Sequence, residues 1–151
     1  MYNKYKISVV IPTYKVLNQI VSVVDTLPSF IDNIIVIDDK CPLESYKLVQ
    51  NKAKVLIINH SENKGVGGAI VSGYKKAIEI GSDIVVKVDG DGQMDPKFIE
   101  FLILPIINNQ ADYTKGNRFK DFKALKTMPK VRLFGNSILS FMVKVSSGYW
   151  N

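Results

Sequence analysis

The stretch Ile84-Val85-Val86-Lys87-Val88-Asp89-Gly90-Asp91-Gly92-Gln93 decides how this chain is read. Its apolar, β-branched run has the character of a buried strand, and it ends in two carboxylates one residue apart inside a turn loosened by two glycines. Both acids can swing toward one hard divalent cation, and Gln93 adds a third oxygen at the same alternating spacing. A cation held in this way keeps open positions for water or for diphosphate oxygens. The stretch therefore points to chemistry on a phosphorylated ligand.

Three other readings compete. In an EF-hand calcium loop, Asp89, Asp91 and Gln93 would stand at positions one, three and five and Glu100 at position twelve. The sixth position, however, needs glycine and holds Met94, and Pro96 stiffens the loop. Haloacid-dehalogenase phosphatases also carry Asp-x-Asp, but usually after the first strand and with Thr or Val where Gln93 stands. A solvated strand-to-helix turn explains Asp95 as an N-cap and Pro96 as the first helical residue. It leaves Asp89 and Asp91 without a role.

Working outward, Ile7 to Ile11 is a second continuous apolar run, closed by Pro12-Thr13-Tyr14, as a central strand opening into a loop would be. Leu17, Ile20, Val21, Val24 and Leu27 recur at helical spacing up to Pro28. Ile34-Ile35-Val36-Ile37 forms another buried strand and runs directly into Asp38-Asp39. One of these acids either caps a helix starting near Glu44 or serves as a ligand, and spacing alone leaves the two equal. Val55 to Ile58 is a third strand in chain order, followed by Asn63-Lys64-Gly65-Val66-Gly67-Gly68-Ala69. Glycines opening a helix expose backbone N–H groups at its positive end, where a phosphate is favoured. The spacing is neither a dinucleotide fingerprint, whose last glycine would fall on Ile70, nor a Walker loop. Gly81 is placed to end that helix.

Beyond Pro96, Phe98, Ile99, Leu102 and Ile106 predict a helix that Pro105 must bend or end. Ala111 to Lys115 suggests a short fifth strand, and Leu133, Ile138, Phe141, Met142 and Val145 a final helix with an apolar face. Four alternations of strand and helix argue for a three-layer α/β domain with a mainly parallel sheet. Ligands of such sheets bind at the carboxyl ends of the strands. Thr13, Asp38, Asp39, Asn63 and Asp89 all fall there.

With 151 residues, 46% of them hydrophobic, the chain can bury one substantial core, and a single domain is expected over 1–151. No apolar run approaches the roughly 20 residues of a membrane span, and the opening residues do not read as a signal peptide. The expected location is cytoplasmic. The lone Cys41 excludes an internal disulfide, and with His60 as the single histidine there is no zinc cluster or Cys/His pair to build. Both are read as ordinary loop residues. A net charge of +6 favours anionic ligands, but the basic residues lack the aromatic-interleaved clustering of a nucleic-acid surface, and no nucleic-acid partner is expected.

Taken in order, Val9-Val10-Ile11-Pro12-Thr13-Tyr14, Ile35-Val36-Ile37-Asp38-Asp39, Asn63-Lys64-Gly65 with Gly68-Ala69, the Asp89-to-Pro96 stretch and Gly116-Asn117-Arg118-Phe119 resemble the GT-A glycosyltransferases of family 2. Within that family they are most similar to the polyprenyl-phosphate, dolichol-phosphate mannose synthase-like branch. The resemblance runs from about Ile7 to the last residue. It implies a Rossmann-like GT-A nucleotide-sugar-binding domain, with about 1–119 forming the nucleotide-sugar part and about 120–151 the start of an incomplete acceptor-side part. The chain is thus expected to be truncated relative to the family.

Residue by residue, the resemblance places Pro12 and Tyr14 beside the nucleotide base and makes Asp38 or Asp39 the acid that accepts hydrogen bonds from base or ribose. Lys64 and Gly65 would lie near the nucleotide, and Asp89, Asp91 and Gln93 would hold Mg²⁺ or Mn²⁺ on the diphosphate. Asp89 and Asp91 are the residues on which catalysis would depend. Arg118 and Arg132 match positions that meet donor or acceptor phosphates, and a guanidinium suits that role through paired hydrogen bonds. The implied reaction is inverting transfer of a sugar from a nucleoside diphosphate sugar to a dolichyl or undecaprenyl phosphate, as in cell-surface polysaccharide or glycoconjugate biosynthesis. Contact with the cytoplasmic face of the membrane would be peripheral. A saccharide or protein hydroxyl acceptor, which needs a carboxylate base, and a nucleotide-binding fragment without turnover are the alternatives.

Overall fold

The computed structural model describes residues 2, 4–17, 19–116 and 130–148. They form two compact units, 1–114 and 115–151. The first is built on strands β1 (Ile7–Thr13), β2 (Asn33–Asp38), β3 (Val55–Asn59) and β4 (Ile84–Lys87). All pair in parallel, in the order β3-β2-β1-β4. Helices α1 (Gln19–Asp25), α2 (Gly65–Glu79) and α3 (Ile99–Ile107) supply the other layers of this unit.

The strands are apolar on both faces because both faces are covered. On one side Val9, Ile11 and Val36 join Ile20, Val23 and Val24 of α1 and Ile99 and Ile103 of α3 in one buried cluster. On the other, Val10, Ile35 and Ile37 meet Ala69 and Ala77 of α2. That second interface is close-fitting, and Gly73 touches the sheet where any side chain would collide with it: an added Cβ would stand 2.3 Å from a Val10 methyl. At the far end of α2, Gly81 (φ +69) sits at C′. Its N–H reaches the Ile78 carbonyl and that of Ser82 the Ala77 carbonyl, the paired bonds of a Schellman stop.

Two expected elements are absent. The helix anticipated near Glu44 is a single 3-10 turn, Ser45–Leu48, with Glu44 in the left-handed region at its start and no side chain capping it. Neither Asp38 nor Asp39 caps it. The segment 111–115 is not a strand. The Thr114 hydroxyl donates to the Leu102 carbonyl at 2.7 Å, which ties this segment to α3 and not to a ladder beside β4. The helix predicted after Pro96 does form: Asp95 caps the 3-10 turn Pro96–Phe98 through the Lys97 N–H at 3.0 Å. It leads into α3, which runs two residues past Pro105.

In the second unit the described residues 130–147 form α4 (Lys130–Ser147), on which Ile138, Phe141, Met142 and Val145 are exposed. Among the described residues no helix is long and apolar enough to cross a membrane.

Candidate nucleotide and metal site

Register brings the strand ends level, with Thr13 opposite Asp38 and Asp38 opposite Asn59. Beyond them lies a cavity of about 640 Å³. The end of β1 contributes Pro12 and Thr13 and the loop after it Tyr14, the loop after β2 Asp39, the loop before α2 Asn63, the start of α2 Gly65 and Val66, and the turn after β4 Asp89, Gly90 and Asp91. Most of the residues that the sequence singles out thus meet in one place, although 78 positions separate Pro12 from Gly90. Gly90 permits the approach. A Cβ there would stand 3.3 Å from the Pro12 carbonyl oxygen and from a Val16 methyl.

Adjacent residues at a strand end point to opposite faces, and this separates Asp38, the last residue of β2, from Asp39, the first after it. Asp39 lines the large cavity, whereas Asp38 lines a smaller one of about 400 Å³ with Lys40, Cys41 and Glu44. Asp39 is buried, and its Oδ1 accepts from the Lys64 N–H at 2.8 Å and meets His60 Nδ1 at 2.7 Å. Burial alone would raise its pKa, but the Lys64 N–H and the imidazole outweigh it and hold the carboxyl below the usual carboxylate range. The stability this supplies is present above the unfolded-state pKa and is lost as pH falls through the lower folded value.

Asp38 behaves oppositely. Its Oδ1 is buried without a hydrogen-bond partner. Burial pushes its pKa up, the Cys41 N–H opposes this, and the charges of Glu44 and Asp39 reinforce it. A folded pKa above the unfolded one means that stability falls as pH rises between the two values. Asp38→Asn, which cannot ionise, is therefore expected to melt at a higher temperature than wild type at pH 7. The gain should shrink as pH falls toward the ordinary Asp value, and paired thermal melts at pH 7 and pH 3.5 check the decrease.

The turn after β4 is oxygen-rich. Asp89 is partly exposed and pairs with Lys87 through Oδ1, while Asp91 is exposed and its Oδ1 accepts the Gln93 N–H at 2.9 Å. Gln93 is not among the residues lining the cavity. Among the described residues no group of three or more His, Cys, Asp and Glu is placed to hold a metal ion. Two carboxylates opening on one cavity still suit a hard divalent cation that takes its remaining ligands from water and phosphate. The Lys64 N–H serves Asp39, and Lys64 Cβ lies where a Cβ on Gly68 would fall, 2.5 Å away. Arg118 lies outside the described residues, as does the side chain of Arg132, whose backbone is part of α4.

Sequence reasoning passed over His60. It is buried between Asp39 and Ser72, with Nε2 at 2.8 Å from the Ser72 Oγ. The available signal was a polar residue directly after a strand, beside a loop already rich in candidate ligands.

A three-layer parallel α/β unit with its cavity at the carboxyl ends of the strands and an acid pair on one rim has the GT-A, Rossmann-like architecture. The chain belongs to the Glycosyl transferase family 2, whose family model matches residues 8–150. It is 39% identical over 161 residues to the UDP-N-acetylglucosamine–dolichyl-phosphate N-acetylglucosaminyltransferase of Methanococcus voltae, covering 95% of this chain and 64% of that protein. With the dolichol-phosphate mannosyltransferase of Pyrococcus furiosus it shares 33% identity over 121 residues, 76% of this chain and 33% of the relative. The chain thus spans less than two thirds of the length of these relatives. A solved structure described as a mycobacterial protein superposes with a TM-score of 0.55 at 24% identity, covering 70% of this chain and 38% of the other, and shares the fold.

Proposed function

We propose that this chain carries the donor site of an inverting, metal-dependent glycosyltransferase that moves a sugar from a nucleoside diphosphate sugar to a polyprenyl phosphate. The observation that carries the reading is the meeting, in one cavity, of the carboxylate Asp39, the start of α2 and the acid pair Asp89 and Asp91. Relatives named for transfer to dolichyl phosphate support the acceptor class, and the Methanococcus relative makes UDP-N-acetylglucosamine the first donor to test.

Each part has a physical task. Asp39, held ionised, is an acceptor for an N–H of the base or a hydroxyl of the ribose, with Pro12 and Tyr14 on the neighbouring wall. The Gly65 N–H that opens α2 is taken by Asn63 Oδ1 at 3.0 Å, and the rest of the first turn, at the positive end of a 15-residue helix, faces the diphosphate position. Asp89 and Asp91 would hold Mg²⁺ or Mn²⁺, with Gln93 beside them, and the bound ion would supply charge neutralisation for the departing diphosphate. A phosphate acceptor is already an anionic nucleophile at neutral pH, so no general base is required of the protein.

Transfer assays with labelled UDP-N-acetylglucosamine and Mn²⁺, offering dolichyl phosphate, undecaprenyl phosphate or a neutral saccharide, test the reading. Label is expected in the lipid-phosphate fraction. Label in the saccharide alone would replace the acceptor class, and tight nucleotide binding with no transfer to any acceptor would reduce the chain to a nucleotide-binding module.

A further inference from the structure

We propose that His60 is a positioning residue of the nucleotide site, acting through Asp39 and itself set by Ser72. The inference rests on the cavity being a nucleotide site. Three segments far apart in sequence converge here: the loop after β2, the residue after β3 and the body of α2. Both ends of the imidazole are engaged, with Nδ1 at 2.7 Å from Asp39 Oδ1 and Nε2 at 2.8 Å from Ser72 Oγ. The side chains of His60 and Asp39 are each 5% exposed, so solvent does little to loosen the pair.

The chemistry fixes the proton. A carboxylate can only accept, so Nδ1 carries a hydrogen, while Nε2 meets the Ser72 hydroxyl, which can donate or accept. His60 Nδ1–H and Lys64 N–H both fall on Oδ1 of Asp39. Oδ1 is therefore held from the protein side, the Gly65 N–H also acts on the carboxyl, and the carboxyl as a whole lines the cavity where a ligand would meet it. The loop is anchored around it as well, since the Asn63 amide donates to the Asp39 carbonyl at 3.1 Å and the His60 N–H to that of Asp38 at 2.9 Å. Turning the imidazole would let Asp39 rotate about its side-chain bonds, and an acceptor free to rotate binds a base edge less well than one already in place.

This predicts a division of labour that a purely structural histidine would not produce. Loss of the Nδ1–H should weaken ligands that carry a base and ribose and leave those that carry only the diphosphate unchanged. Asparagine places an N–H near the Nδ1 position and glutamine near the Nε2 position, so the two substitutions divide the ring's functions.

The test is isothermal titration of wild type, His60→Ala, His60→Asn, His60→Gln and Ser72→Ala with UDP, GDP and inorganic pyrophosphate, each with Mn²⁺. His60→Ala and His60→Gln are expected to bind the better of the two nucleotides about tenfold more weakly or worse. His60→Asn should stay within about threefold of wild type, Ser72→Ala should fall between, and pyrophosphate should be held equally by all. Should His60→Ala not fold, His60→Gln carries the same comparison. Unchanged nucleotide affinity, an equal loss for pyrophosphate, or rescue by glutamine but not asparagine would overturn the proposal. Wild type binding neither nucleotide would instead overturn the reading of the cavity, and the role of His60 with it.

Discussion

Asp91→Asn is expected to lower metal-dependent sugar transfer by about 10²-fold or more, the scale on which removal of one group opposing developing charge is felt. The substitution isolates charge from structure. Asp91 is exposed, and the contact it makes within the protein is acceptance of the Gln93 N–H by Oδ1 at 2.9 Å. An asparagine carbonyl oxygen can accept the same bond and keep the turn, as Asn and Asp do interchangeably in such turns. The melting temperature should therefore stay within about a degree of wild type while the cavity loses one of the two carboxylates proposed to hold the ion. Asp89→Asn is less clean, because Asp89 also pairs with Lys87. Initial rates measured across a Mn²⁺ series, with a thermal melt of each protein, provide the check. A variant with full rate and unchanged metal response would remove Asp91 from the site.

The second large effect concerns the sheet. Gly73→Ala is expected to destabilise the protein by about 1–3 kcal/mol, the usual cost of forcing atoms into a filled core. On a free helix surface the same change would add up to about 1 kcal/mol of stability. The sign reverses here because the new Cβ would lie 2.3 Å from Val10 Cγ1 and 2.8 Å from Ile37 Cδ1, and both side chains are fully buried in the strands that position the site. Neither can withdraw without disturbing the layer beyond it. Urea unfolding monitored by circular dichroism measures the difference, and a Gly73→Ala protein as stable as wild type would mean that α2 sits farther from the sheet than described.

Much of this was legible in the sequence because the strands are buried on both faces. Ile7 to Ile11, Ile34 to Ile37 and Ile84 to Val88 read as apolar runs, interrupted by Ser8 and Lys87, and β1, β2 and β4 occupy nearly those residues. The acids that end such runs had to fall at the carboxyl edge of the sheet, which is how Asp39, Asp89 and Asp91 come to share a cavity. Which of Asp38 and Asp39 faces it depends on the phase of a two-residue alternation, and a run apolar on both faces carries no mark of that phase. The helix expected near Glu44 failed for local reasons: Lys40 and Glu44 both adopt positive φ, bending the chain twice within five residues, and only one 3-10 turn follows. The fifth strand was misread because a short alternating segment looks the same whether a sheet edge or a helix takes its hydrogen bonds. His60 was invisible as a partner, since Asp39 and Ser72 lie 21 and 12 residues away and no periodicity joins the three.

The most direct test of the donor site is a crystal structure of this chain with UDP and Mn²⁺, the ion located by its anomalous scattering. Manganese bonded to carboxylate oxygens of Asp89 and Asp91, the diphosphate at the start of α2 and the uridine against Asp39 is the predicted result. Ordered nucleotide bound elsewhere, or in this cavity with the metal away from both acids, would contradict it.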